Sequence, residues 1–379
     1  MKLASPLFDE AEIDLIRRCL ASGWVTQGPL TQRFEELVGL RHSAKHAIAT
    51  TSCTAALHLA VAALDLRPGD EVIVPALTWV TSAHCAEYVG ARPVFADIDL
   101  ATYNLHPEAL AAAITPRTRA VVVVHLFGLA ADMDAILAIA RRHDIAVIED
   151  AACGIGTTFS GRPVGTLGDV GCLSFHPRKV ITTGEGGMVL TNRDDLASVV
   201  RSLRNHGSTG LPSREVEPHG PWTMATFGRV GYNLRLSDIQ AAVGVAQMGK
   251  LDGLLAERRA RANRYSELLS DFQQIALPNQ AGDVSGHTYQ SYVIRIADGD
   301  RKRRNAVMSR LAEWEIETRP GTHAVHRLSY YQKKYGLKPG DFPNAAAGED
   351  TTIALPIFPM MTDSDQDKVI EALSLALRI

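Results

Sequence analysis

"RAVVVVHLFGLAADMDAILAIARRHDIAVIED", residues 119–150, packs two periodicities into one short span. Residues 119–128 carry a β-branched run of the kind buried on both faces of a parallel sheet. Residues 132–144 read as an amphipathic helix, and residues 145–150 as the next strand. Strand, helix and strand in succession predict a parallel βαβ unit.

The same alternation extends outward. Residues 54–64 have helical character, and a Pro-Gly turn at 68–69 leads into a short buried strand at 71–76. A helix at 81–91 and a strand over "RPVFADI" follow, with further strands at 171–175 and 186–192. The reading is an α/β fold: a large domain, residues 1–249, with a mostly parallel mixed sheet flanked by helices. One long helical stretch starts at residue 238, followed by a strand at 287–297 and helices at 301–314 and 364–377. These predict a smaller α+β domain over 250–379. Residues 207–222 hold three prolines and three glycines and read as a long loop.

Bulk properties exclude several classes. With 379 residues and 46% hydrophobic content, the chain can bury a sizeable core. A net charge of −3 gives no basic footprint for nucleic acid or anionic membrane. The basic clusters at 258–264 and 301–304 have acidic neighbours and read as solvated faces. Five unpaired-looking cysteines suit a reducing compartment. No apolar leader opens the chain, and the apolar run at 120–129 is too short to span a bilayer. A cytoplasmic protein is expected.

The candidate chemistry sits where strands end. Ligands of open α/β sheets bind at the carboxyl ends of the strands. Asp150 ends one strand; its other reading is a helix N-cap. "TSCTA", residues 51–55, opens a helix whose free N–H groups suit a phosphate, or is simply capped by Ser52 or Thr54. Trp79 can stack on a flat ring or pack in a core. Lys179 lies in "SFHPRKVITTGEGG", between a proline turn and a glycine turn, and is placed for Schiff-base chemistry or is a surface lysine. Taken together they describe sites for a flat ring, a phosphate, a ring nitrogen and an aldehyde. Pyridoxal phosphate has all four.

Eight ordered motifs sharpen the reading: "SGWVTQGP" (22–29), "TSCTAALHLA" (51–60), "PALTWVTSA" (75–83), "VIEDAACGIG" (147–156), "SFHPRKVITTGEGGM" (174–188), "GYNLRLSDIQAA" (231–242), "TRPGTHAVH" (318–326) and "LPIFPMMT" (355–362). In these the chain resembles the DegT-type sugar aminotransferases, within the fold type I pyridoxal phosphate enzymes. The resemblance implies that Lys179 holds the cofactor as the internal aldimine, with a pyridoxamine phosphate form during turnover. It implies that Asp150 meets the ring nitrogen and that Trp79 stacks on the ring. It assigns the phosphate to Thr54, the Ala55 backbone and Ser174. Asn233 would reach the phosphate of a partner subunit, so a homodimer with shared sites is implied. Thr26, Arg235, His323 and His326 resemble the part that meets the sugar. Two positions depart from the family pattern: Cys53 stands where glycine is common, and Cys153 where Gln or His usually nears the ring hydroxyl.

The implied reaction is ping-pong transfer of an amino group from L-glutamate to a nucleotide-linked 4-keto-6-deoxyhexose, with Lys179 moving the proton. A 3-keto sugar or keto-cyclitol acceptor is the alternative. A pyridoxal phosphate lyase and a non-enzymatic regulator are weaker readings. A metal enzyme built on His323 and His326 would lack further ligands. Val180 and Ile181 are expected to exclude water and so lower the Lys179 pKa.

Overall fold

The computed structural model describes residues 1–212, 220–278 and 286–378. Its centre is a seven-stranded sheet. In spatial order the strands are His46–Thr50, Gly187–Thr191, Val170–Ser174, Ala146–Asp150, Thr118–Val124, Glu71–Pro75 and Arg92–Ala96. Only Gly187–Thr191 runs against its neighbours. The sheet is mostly parallel and mixed, as the alternation predicts.

The opening stretch folds as read. Thr118–Val124 and Ala146–Asp150 pair in parallel, with Val124 opposite Asp150. Between them, helix Met133–His143 is capped by the Asp132 side chain, which accepts from the Ala135 N–H. Arg141, Arg142 and His143 complement its C-terminal dipole. Its buried face is Met133, Ile136, Leu137 and Ala140, packed with Val121, Val123 and Val147 beneath the sheet. Each such buried aliphatic side chain contributes about 1.5–3 kcal/mol.

Some elements were not read in advance. His46–Thr50 is a sheet edge with two alanines and little β-branching; it is a strand because Gly187–Thr191 pairs along all of it. Helices Glu10–Ser22 and Pro29–His42 lie against helix Asp238–Leu268. Asp238 is buried and accepts from the N–H groups of Gly28, Leu30 and Thr31 and from the Thr31 hydroxyl. It thereby caps the helix that follows "SGWVTQGP".

Helix Asp238–Leu268 packs Leu251, Leu254 and Leu255 into one core and Ala262 and Tyr265 into another. The second core lies around a three-stranded antiparallel sheet of Ile275–Ala276, Tyr292–Ile296 and Thr352–Leu355. Helices Arg301–Glu313 and Asp363–Ala376 cover it. The strand expected at 287–297 is confined to Tyr292–Ile296, because Tyr289 takes a left-handed backbone and stacks on His287. In the expected loop at 207–222, Ser208–Gly210 pairs with Thr226–Phe227 as a short ribbon; residues 213–219 lie outside the described residues. No helix among the described residues is long and apolar enough to cross a membrane.

Candidate active site

A cavity of about 490 Å³ opens at the carboxyl ends of the parallel strands. Asp150 lies at its floor, 4% exposed. No helix begins after it, so the N-cap reading falls. Its Oδ2 accepts from Ser82 Oγ at 2.6 Å, and Thr78 Oγ1 lies 2.9 Å from the same hydroxyl. Its Oδ1 accepts from the Ala152 N–H at 3.2 Å. The carboxylate is held while still facing the cavity. Ser82 looks in sequence like an ordinary small helix residue, and its role is visible only through the fold.

Helix Cys53–Ala63 begins at the cavity rim. Ser52 supplies the cap, its Oγ accepting from the Ala55 N–H at 3.1 Å. A Cβ at Gly187 would sit 2.3 Å from the Ser52 carbonyl carbon and 2.6 Å from the Cys53 nitrogen. Only glycine lets the antiparallel strand approach this turn so closely. Ser52, Cys53, Thr54 and Ser174 line the cavity there, with the dipole of a helix N-terminus behind them. Ala55 does not line the cavity: its N–H is taken by the Ser52 cap and its side chain is buried in the core.

Lys179 reaches the cavity from the turn after strand Val170–Ser174. Its N–H donates to the His176 carbonyl, and Gln290 Nε2 donates to the Arg178 carbonyl at 2.7 Å. Val180 and Ile181 are buried behind it, and Thr182 Oγ1 donates to the Phe175 carbonyl. Lys179 Nζ lies 3.3 Å from Cys153 Sγ. The expected lowering of its pKa is not found. Burial does push the lysine down, but its contacts with Cys153, Cys53 and Asp150 outweigh it and hold the ammonium above its ordinary value. Excluding water is insufficient when a carboxylate and hydrogen-bonding groups share the excluded space.

Trp79, 50% exposed, stands on the cavity wall with its ring 5.6 Å from that of His323. The two meet because Leu77–Thr78 pairs with His323–Ala324. His326 lies elsewhere: it is fully buried, donates from Nε2 to the Pro339 carbonyl, and packs edge-on against Phe342. The H-x-x-H pair is thus split, and the described residues contain no cluster of three metal-ligating side chains. Thr26, Asn233 and Arg235 do not line the cavity of this chain. The Thr26 carbonyl accepts from the Asp238 N–H, Asn233 bridges to Asn205, and Arg235 donates to the Asn205 side chain at 2.7 Å. Val230, three residues before Asn233 in the chain, is 89% exposed, and Trp222 is 71% exposed.

A model of the DegT/DnrJ/EryC1/StrS aminotransferase family matches residues 6–374. The chain is 40% identical to the spore coat polysaccharide biosynthesis protein SpsC of Bacillus subtilis, over 97% of this chain and 94% of that one. It is 39% identical to the GDP-perosamine synthase of Caulobacter vibrioides, over 100% and 98%. Among solved structures it resembles a sugar aminotransferase from Streptococcus pneumoniae, Spr1654, in its PMP form, with a TM-score of 0.94, 27% identity, and coverage of 100% and 99%. The PLP form of that protein aligns with a TM-score of 0.92 at the same identity, over 100% and 98%.

Proposed function

The chain belongs to the DegT/DnrJ/EryC1/StrS aminotransferase family, and from that premise we propose that it moves the amino group of L-glutamate to a nucleotide-linked 4-keto-6-deoxyhexose in amino-sugar biosynthesis. The observation that carries this reading is the meeting of Lys179 and Asp150 on one cavity at the strand ends. Two relatives with near-full coverage, one named for a polysaccharide pathway and one for a GDP-linked product, support a sugar acceptor.

The residues fit pyridoxal phosphate. The glycine-made close approach at Gly187 leaves a helix N-terminus facing the cavity, and the nearby Ser174 hydroxyl completes a phosphate-sized donor set. Asp150 is an anchored carboxylate for a ring nitrogen, and Trp79 is a wall for a ring face. When bound, the cofactor supplies an electron sink for the bond broken at the donor Cα. Lys179 Nζ is the amine that would hold the cofactor and that would take up the proton leaving Cα. The Ser82 hydroxyl keeps Asp150 aimed, and His323 with Trp79 bounds the space left for the acceptor.

A second copy of the chain completes the picture. Trp222, Phe227 and Val230 are exposed, and a second copy that covers them would bring Asn233, close to Val230 in the chain, to the partner's phosphate site. Residues 1–249 would form the cofactor-binding domain and 250–379 the domain that bounds the far wall. Five free cysteines suit the reducing cytoplasm as its setting.

The test is the visible spectrum of the purified protein with pyridoxal phosphate, before and after L-glutamate. The reading expects a cofactor band that glutamate bleaches, one equivalent of 2-oxoglutarate, and neither with Lys179→Ala. A protein that develops no band, or whose band ignores every amino donor, would sink it.

A further inference from the structure

The turn that carries Lys179 is built mainly by its own segment. The Arg178 N–H donates to His176 Nδ1, the Lys179 N–H to the His176 carbonyl at 2.8 Å, and the Thr183 N–H to the Phe175 carbonyl. The Arg178 carbonyl is held from elsewhere. It accepts from Gln290 Nε2 at 2.7 Å, across 112 residues of chain. That carbonyl and the Lys179 N–H belong to one planar peptide unit. Both polar ends of the unit are therefore fixed, one by the local turn and one by Gln290, and the lysine leaves from the next backbone atom.

Gln290 is itself firmly seated. Its segment rests on the first domain: the Thr288 N–H donates to the Gly128 carbonyl, and a Cβ on Gly128 would lie 3.0 Å from the Gln290 nitrogen. Arg258, buried on the long helix, donates from Nη1 to the carbonyls of Tyr289, Gln290 and Ile357 at 3.2–3.3 Å. Gln290 Oε1 accepts from the Ser291 hydroxyl at 3.2 Å. Strand Tyr292–Ile296 of the second sheet starts directly after. The side chain borders the cavity, yet both its oxygen and its nitrogen are engaged within the protein. An amide so engaged is spent on holding the fold's own groups.

We propose that Gln290 is a positioning residue for Lys179, carrying the placement of the second sheet to the peptide from which the lysine projects. The inference rests on the role of Lys179 proposed above and adds what aims it. A lysine amine sits at the end of a flexible stem, so a tilted peptide moves Nζ away from the aldehyde it must meet. A misplacement of about 1 Å can cost roughly 100-fold in rate.

The experiment compares wild type with Gln290→Met, which keeps the length and removes the donor, and Gln290→His, whose ring N–H can donate from a similar reach. One readout is the rate at which apoenzyme captures pyridoxal phosphate. The other is the first half-reaction of the loaded enzyme, resolved into its limiting rate and its half-saturating L-glutamate concentration. Urea unfolding beside them gives the folded fraction. Gln290→Met should slow capture and lower the limiting rate roughly 10- to 100-fold, with half-saturation within about twofold of wild type. Gln290→His should recover most of both losses. Wild-type capture and limiting rate in the folded fraction of Gln290→Met would overturn the proposal, and any loss of stability would then be a structural effect alone. A change confined to half-saturation would also overturn it and make Gln290 a substrate contact. So would a loss that Gln290→His does not recover. Wild type that captures no pyridoxal phosphate would remove the reading of Lys179 and this inference with it. Wild type that captures the cofactor but ignores glutamate would remove the donor reading alone, and slow capture by Gln290→Met would still uphold the proposal.

Discussion

Glu149 and Asp150 are adjacent acids at the end of one strand, with side chains on opposite faces of the sheet. Glu149, 0% exposed, accepts from the N–H groups of Gly165, Leu167 and Gly168 at 2.6–2.7 Å and from His125 Nε2 at 2.9 Å. Burial pushes its pKa up, but these bonds and the His125 partner bring it below the ordinary glutamate value. Asp150 has the Ser82 hydroxyl, the Ala152 N–H and a long contact from the Cys53 thiol, and an open side facing a cavity. The first acid is saturated from within the chain and holds a loop. The second keeps acceptor capacity for something that arrives later. Bonding capacity left over beside a cavity separates a site residue from a structural one of the same chemical type.

Amide substitution tests that contrast. Asp150→Asn should cut transamination roughly 100- to 1,000-fold, because a neutral amide cannot stabilise a protonated ring nitrogen. It should cost only about 1 kcal/mol in unfolding, since few internal bonds are lost. Glu149→Gln should do the reverse and cost about 3–5 kcal/mol, because an amide NH2 would face backbone donors and leave His125 without its acceptor. Its folded fraction should still turn over. Urea unfolding beside single-turnover rates separates the two. Equal losses of stability in both variants would erase the distinction.

Much of this arrangement was legible, and for a physical reason. The apolar strands and the amphipathic helix of 119–150 carry their periodicity in the side chains themselves, so both parallel strands and the position of Asp150 followed. Lys179 stood out through its proline and glycine turns. Residues whose role depends on distant partners were hidden. Ser82 matters because Asp150 lies 2.6 Å from it, 68 residues away in the chain. The two histidines of "THAVH" are three residues apart, yet one lines the cavity and the other is enclosed. Thr26, Asn233 and Arg235 face outward, where a single chain's sequence and structure give them no ligand.

A smaller effect probes the structural side. His42 is fully buried, donates from Nδ1 to the Val164 carbonyl at 2.8 Å, and sits next to the loop that Glu149 holds. Burial lowers its pKa to about 4, so it is neutral when folded. Unfolded, the ring titrates near 6.5. Its contribution is therefore complete above pH 6.5 and is lost as pH falls toward 4, about 3 kcal/mol in all. Unfolding free energy measured across that window should slope downward toward acid. His42→Asn, which cannot take up the proton, should flatten the slope even though it lowers stability at pH 7. A slope that the substitution leaves unchanged would place the acid sensitivity elsewhere.

The smallest effect probes the cavity side. Cys153 Sγ is 3.3 Å from Lys179 Nζ and is among the groups that raise the lysine's pKa against its own burial. Removing the sulfur leaves desolvation with less opposition. In Cys153→Ala the reactive free amine should therefore appear at lower pH than in wild type. The measurement is the rate at which apoenzyme captures pyridoxal phosphate as a function of pH, which reports the lysine and not the later chemistry. A midpoint displaced toward acid would show that the thiol sets the charge on Lys179. Cys153→Ser, which restores a weaker hydrogen-bonding partner, should fall between the two. If the midpoint stays put in both variants, Asp150 and Cys53 hold the proton on Lys179. The departure at position 153 would then be a matter of space, with no bearing on charge.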